Sequence, residues 1–154
     1  MRRSLSLALL CTLLCTPGAW ASPITKAEGL IGQGETWADN RGAFVAKIGK
    51  EGQPWCAYFV SYCLKLRKPI PNARGFLKAY PRVHKPLPGD LAIWSRGKDG
   101  RSGHIGIVQR VEKGAIYTIE GNTGSYPSKV KVIKHSLKAM PTLLGYVRPY
   151  KKGA

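Results

Sequence analysis

Apolar residues recur with a helical period in the first half of this chain and alternate with polar ones in the second. Cys56, Phe59, Val60 and Cys63 fall at i, i+3, i+4 and i+7, one face of a 3.6-residue period. Pro54 suits a first helical turn, where a missing N–H costs nothing. The stripe predicts a helix from Cys56 to near Leu66, ahead of Pro69 and Pro71. Upstream, Thr25-x-x-Glu28 reads as a capping box opening a helix that runs to about Ile31. Residues 41–48 form a second helix with Phe44, Val45 and Ile48 inward, and a weaker helical stretch covers residues 73–80.

The pattern then changes. Pro88-Gly89-Asp90 is a turn leading into a strand over residues 91–94. Strands follow over 104–111, 115–122, 129–134 (alternating Lys and Val) and 143–147. Helices first and strands after predict an α+β domain, with N-terminal helices packed on an antiparallel sheet. The hairpin between the second and third strands decides one pairing. A three-residue loop, Glu112-Lys113-Gly114, sets Val111 opposite Ala115 and His104 opposite Asn122, with Glu120 diagonal to His104 and the Cys56 helix expected to pack against their shared face. A two-residue Lys113-Gly114 turn puts His104 and Glu120 on opposite faces, because side chains alternate with period two.

The N-terminus adds a location. Arg2 and Arg3, an apolar run over residues 5–14, Pro17 and the small-residue site Ala19-Trp20-Ala21 form a secretory signal peptide, residues 1–21, cleaved after Ala21. The run is too short to span a bilayer. A secreted or periplasmic protein is expected, a single domain over residues 22–154, without a transmembrane span and acting as a monomer. Cleavage removes 21 of 154 residues, leaving 133, and takes two arginines, so the net charge falls from +17 to +15. A chain this basic seeks polyanions. Outside the cytoplasm these are anionic cell-envelope polymers and, at a membrane surface, lipid head groups. Specific nucleic-acid binding is not expected, since no stripe of basic residues interleaved with aromatics stands out.

Two cysteines survive cleavage. Seven helical residues separate Cys56 from Cys63, a rise of about 10 Å, and a disulfide needs Cα atoms within roughly 7 Å. A free thiol in an oxidising compartment needs a reason. Cys56 sits at a helix start, where unpaired N–H groups and the helix dipole favour a thiolate. A cysteine nucleophile also needs a base and a group to orient that base. Of three histidines, His84 lies in a proline-rich loop and His135 closes a strand, whereas His104 opens a strand after Ser102-Gly103, with Gly106 two residues on to allow close approach. Glu120 and Asn122 end the next strand on one face. Metal ligation is not expected: the cysteines lack the two-to-four spacing of zinc ligands and the histidines are scattered. No cofactor is expected either.

Pro54-Trp55-Cys56-Ala57, Pro88-Gly89-Asp90-Leu91, Gly103-His104-Ile105-Gly106-Ile107-Val108 and Ile119-Glu120-Gly121-Asn122, in that order, resemble the CHAP domain (cysteine, histidine-dependent amidohydrolase/peptidase), a relative of the NlpC/P60 hydrolases. The resemblance spans about residues 32–147. It implies a papain-like fold and cleavage of an amide bond in peptidoglycan. By that resemblance Cys56 is the nucleophile, His104 the base and Glu120 its orienting group, while Asn122 matches a further polar position. A muramoyl-alanine amidase and a peptide-crosslink endopeptidase fit these residues equally. The competing reading is a non-catalytic basic module that binds cell wall or lipid on a hydrolase-like fold.

Overall fold

The computed structural model describes residues 21–149; the expected signal peptide, apart from Ala21, and the C-terminal tail lie outside them. Four short helices, α1 (Ala21–Glu28), α2 (Ala43–Ile48), α3 (Cys56–Cys63) and α4 (Gly75–Ala79), precede six strands. These are β1 (Arg82–Val83), β2 (Leu91–Ser95), β3 (Gly103–Glu112), β4 (Ala115–Thr123), β5 (Lys129–Ser136) and β6 (Leu143–Val147). They form one antiparallel sheet in the order β1-β6-β2-β3-β4-β5. The fold is α+β, as the order of patterns predicts. No described helix is long and apolar enough to cross a membrane.

Alternation along the central strands gives the sheet two apolar faces. Leu91, Ile93, Ile105, Ile107, Ile119 and Val147 join Trp55, Phe59, Val60 and Phe76 from the helices in the main core. Ala92, Trp94, Val108, Ile116 and Tyr146 form a smaller cluster on the reverse face. The Pro88-Gly89-Asp90 turn has a structural use. Buried Asp90 accepts a forked pair of bonds from Arg148 at 2.7 and 2.8 Å and one from the Leu87 N–H at 2.7 Å. A bidentate guanidinium–carboxylate pair fixes direction as well as distance, so the turn ties β2 to the end of β6.

Three expectations about element ends change. Thr25 and Glu28 lie in the last turn of α1, so they do not cap its start. Pro54 precedes the helix, which begins at Cys56 with Trp55 as its cap. Finally, α3 stops at Cys63 because Lys65 takes a left-handed conformation, φ 56°. Lys65 N–H then bonds the Tyr62 carbonyl and Leu66 N–H the Ser61 carbonyl. That is the Schellman pairing, closed here by a lysine where a glycine is usual. The pair Arg82–Val83, within an expected loop, adds β1 against β6.

A buried carboxylate fastens the entry to α3. Glu35, fully enclosed, accepts bonds from Trp55 Nε1 at 3.0 Å, Asn40 N–H at 3.1 Å and Ser128 N–H at 2.7 Å. A buried charge is tolerable when each oxygen is bonded. The bonds lock the Trp55 indole and, with it, the neighbouring Cys56. On the other side Gly121 lies so close that a Cβ there would come within 2.5 Å of the Trp55 ring.

Candidate active site

The β3–β4 hairpin places His104 and Glu120 by a route the sequence does not suggest. Its turn has two residues, Lys113-Gly114, with Glu112 opposite Ala115. That turn alone would separate the two side chains. A β-bulge at Gln109 shifts the register between Val108 and Arg110, so that Val108 faces Thr118 and Gly106 faces Glu120. One unpaired residue flips every side chain beyond it. His104 and Glu120 therefore share a face and touch, His104 Nε2 lying 2.7 Å from Glu120 Oε2. Gly106 provides the room: a Cβ there would lie 2.7 Å from Glu120 Cγ. Its role is to let this side chain fold across the strand.

Glu120 is held by more than one partner. Its Oε1 accepts from the Thr118 hydroxyl and from His135 Nε2 at 2.6 Å, while the His135 ring stacks on Trp94 with centroids 4.7 Å apart. Burial pushes the carboxyl pKa up, but the bonds from His104, His135 and Thr118 outweigh it and bring the value down to about 2. An ionised carboxylate only accepts, so both histidines present a protonated Nε2 to it. That leaves His104 Nδ1 facing away from the carboxylate, a buried atom with no hydrogen-bond partner among the described residues.

His135 was passed over in the sequence because its pairing was unreadable. It sits opposite Ile116 and shares a face with Glu120, but the β4–β5 register shifts between Glu120 and Thr123. The i, i+2 spacing of Thr118 and Glu120 was the one available signal. Replacing His135 by Ala frees Glu120 Oε1 from one of its two donors. We expect a loss of roughly tenfold or more in hydrolysis, partly recovered by Gln, whose amide donates in the same place. Thermal melts of both variants check that the fold is unchanged.

Cys56 occupies the other side of the sheet. The Cys56 helix packs on the face bearing Ile105, Ile119 and Gly121, opposite His104 and Glu120, so a helix covering the His104 face is not what forms. The thiol comes to the end of β3 itself, where the backbone N–H of Ile105, together with those of Cys56 and Ala57, is directed at the sulfur. No hydrogen bond joins Cys56 to His104 among the described residues. Burial pushes the Cys56 thiol up, while the Arg96 charge and the three N–H groups pull against that shift. Arg96 and the helix start thus offset part of the effect of burial on the thiol. Cys63 is pushed up to about 12 by burial, with Lys26 opposing weakly.

Two clefts here share Arg96 in their walls. One of about 560 Å³ is lined by Cys56, Gln53, Tyr58, Gly103, Arg96 and Arg101, among others. Another of about 280 Å³ is lined by His104, Glu120, His135, Trp94 and again Arg96. Asn122 meets this region through its backbone carbonyl. It takes a left-handed φ of 56°, the β3–β4 pairing stops at Gly106 and Glu120, and its carbonyl accepts long bonds from Arg96 at 3.4 and 3.5 Å. The side chain makes no hydrogen bond with His104 or Glu120, so the expected pairing of Asn122 with His104 does not form.

The state of Glu120 sets an acid limit. A carboxyl held below its ordinary value of 4.5 at about 2 adds stability that is complete above pH 4.5 and disappears as pH falls through 2. The size is on the order of 3 kcal/mol. Acid unfolding followed by circular dichroism should show a stability loss between pH 4.5 and 2 that the Glu120→Gln variant lacks.

No curated protein matches this chain in sequence. A solved structure, that of a wild type endolysin LysIME-EF1, matches with a TM-score of 0.56 at 19% identity, over 84% of this chain and 63% of its own. The chain thus spans less than two thirds of that protein's length, and at this identity the likeness is one of fold. A family model, the CHAP domain, matches residues 48–122. That stretch opens on the last residue of α2 and closes on Asn122, so it takes in the Cys56 helix, β2, β3 and Glu120. Residues 48–122 of this chain are a CHAP domain.

Proposed function

We propose that this protein is a secreted or periplasmic cysteine-dependent peptidoglycan hydrolase, cleaving an amide bond through Cys56, His104 and Glu120. The observation that carries this reading is the His104 ring. Its Nε2 is pinned on an ionised carboxylate and its Nδ1 is buried without a partner among the described residues, at the strand end where the Cys56 sulfur meets the Ile105 N–H. A ring so held is a base awaiting a proton. Hydrogen bonds to a nucleophile are often loose in an unliganded site and tighten around substrate. The CHAP domain implies a cysteine hydrolase, and the endolysin-like fold supports peptidoglycan as its target.

In this mechanism Cys56 gives its proton to His104 Nδ1 as the sulfur bonds to the amide carbon, and the carbonyl electrons move onto oxygen. Arg96 and the backbone N–H groups around the sulfur oppose the growing negative charge. The C–N bond then breaks, the leaving nitrogen takes the proton from His104, and a thioester remains. Water attacks next, giving its proton to His104 as the C–S bond breaks, and Cys56 recovers that proton. Glu120 stays ionised and holds the ring against rotation. Gln53 lines the Cys56 cleft as a candidate second oxyanion donor.

A muramoyl-alanine amidase and a stem-peptide or crosslink endopeptidase use the same three groups. Mass spectrometry of peptidoglycan digested by residues 22–154 assigns the bond. New termini made by the wild type and absent with Cys56→Ala are expected; undigested peptidoglycan would leave the binding-module reading.

The basic surface supports attachment to anionic envelope polymers. A groove of about 670 Å³ beside the site is lined by Arg74, Lys78, Arg82 and Arg101, with no acidic side chain. Exposed charges are screened beyond about 10 Å at 0.1 M salt and about 3 Å at 1 M. Co-sedimentation with purified sacculi should therefore fall several-fold between these salt levels. Retention independent of salt would make the charge incidental.

A further inference from the structure

We infer that Arg96 and Arg101 form a carboxylate subsite beside Cys56, selecting peptide substrates that carry a free carboxylate next to the scissile amide. The inference rests on the hydrolase reading and names the substrate that reading takes.

Arg96 lines both clefts and Arg101 lines the one containing Cys56. Neither takes part in an ion pair among the described residues. Among the described residues the only acceptor for the Arg96 guanidinium is the Asn122 carbonyl, at 3.4–3.5 Å, beyond the usual hydrogen-bond range. The Arg101 side chain has no hydrogen bond among the described residues, although its backbone N–H is bonded.

The nearby acids are already occupied. Asp99, on the same loop, accepts from the Arg101 and Ser102 N–H groups with Oδ1 and from the Ser102 hydroxyl with Oδ2. Glu120 is saturated by His104, His135 and Thr118. Substrate in this cleft thus meets two guanidinium groups and no competing anion. The loop that carries them is anchored, with Arg96 N–H on the Ser102 carbonyl at 3.1 Å and Arg74 bonded to Ser95 and Ser102. A planar guanidinium suits a carboxylate, which it binds through two parallel bonds. A carboxamide offers one acceptor and no charge.

The test uses two muropeptides that differ only in whether the carboxyl group adjoining the scissile amide is free or converted to the amide. Wild-type protein should prefer the free acid by about tenfold in kcat/KM, mostly through KM. In Arg96→Ala that preference should fall below about threefold, with Arg101→Ala between the two. The ratio matters because Arg96 also acts on the Cys56 thiol: losing that effect slows both substrates alike and leaves the ratio unchanged. Equal cleavage of both substrates by the wild type, or a full preference retained by Arg96→Ala, overturns the subsite. Calorimetry of both peptides on Cys56→Ala separates this inference from the hydrolase reading. Tighter binding of the free acid without turnover by the wild type keeps the subsite and removes the hydrolase. Equal affinity removes the subsite whatever the turnover.

Discussion

Cys56→Ala is expected to abolish peptidoglycan hydrolysis, by roughly 10⁴-fold or more, and to leave the fold intact. The magnitude follows from removing a nucleophile that no neighbour replaces. The fold should survive because alanine suits the first position of α3 and Glu35 still holds the Trp55 indole before it. Clearing of a peptidoglycan gel and a thermal melt read the two halves separately. Cys63→Ala should do the opposite: it keeps hydrolysis and loses on the order of 1 kcal/mol from a small core cavity. Alkylation distinguishes the thiols directly. Both are buried, but Cys56 opens onto a cleft while Cys63 faces the core with its pKa pushed up to about 12. Iodoacetamide near pH 8 should label Cys56 much faster. Mildly acidic conditions, which a resting thiolate would permit, should label neither quickly, because burial raises Cys56 as well. A Cys56→Ala protein that still clears the gel would end the enzyme reading.

Gly106→Ala should cause the next largest loss without touching a reacting group. An added Cβ lies 2.7 Å from Glu120 Cγ and 3.1 Å from Thr118 Cβ. The methyl pushes the carboxylate away from His104, whose ring then loses the bond that selects its tautomer and orientation. Loss of such an orienting carboxylate costs up to about 10⁴-fold in a related catalytic triad. A loss of about 10²- to 10³-fold in kcat, with KM little changed, is the expected result. Glu120→Gln should reproduce most of it. If Gly106→Ala proves fully active, Glu120 has no part in orienting His104.

Five of the six strands were legible because alternation is strong from Leu91 onward, and the Cys56 stripe announced α3. Element ends were less legible. Nothing in the sequence marks Lys65 as the residue that would adopt a left-handed conformation and end α3, and capping chemistry at Thr25 competes with a helix that has already begun. The site divides in the same way. Cys56, His104 and Glu120 stood out by residue type and setting, since their chemistry is local to each motif. His135, Arg96 and Glu35 did not, because each acquires its role from a partner 15 to 26 residues away. Such pairings depend on register, and register here depends on bulges. The hairpin reached the expected juxtaposition from a wrong turn: the loop was one residue shorter than supposed, and Gln109 supplied the missing residue within the strand.

That compensation leaves one residue of the hairpin surplus. Nine residues lie between Val108 and Thr118, and three cross-strand pairs with the two-residue turn use eight of them, so Gln109 alone is unpaired. Deleting Gln109 should therefore keep Val108 opposite Thr118 and Gly106 opposite Glu120 in a ladder without a bulge, and hydrolysis should survive. Deleting Ile105, between the bulge and His104, should instead turn the ring toward the helices and abolish hydrolysis. The strand tolerates a change of length at the bulge and not on the site's side of it, a distinction that no single-residue substitution scan would reveal.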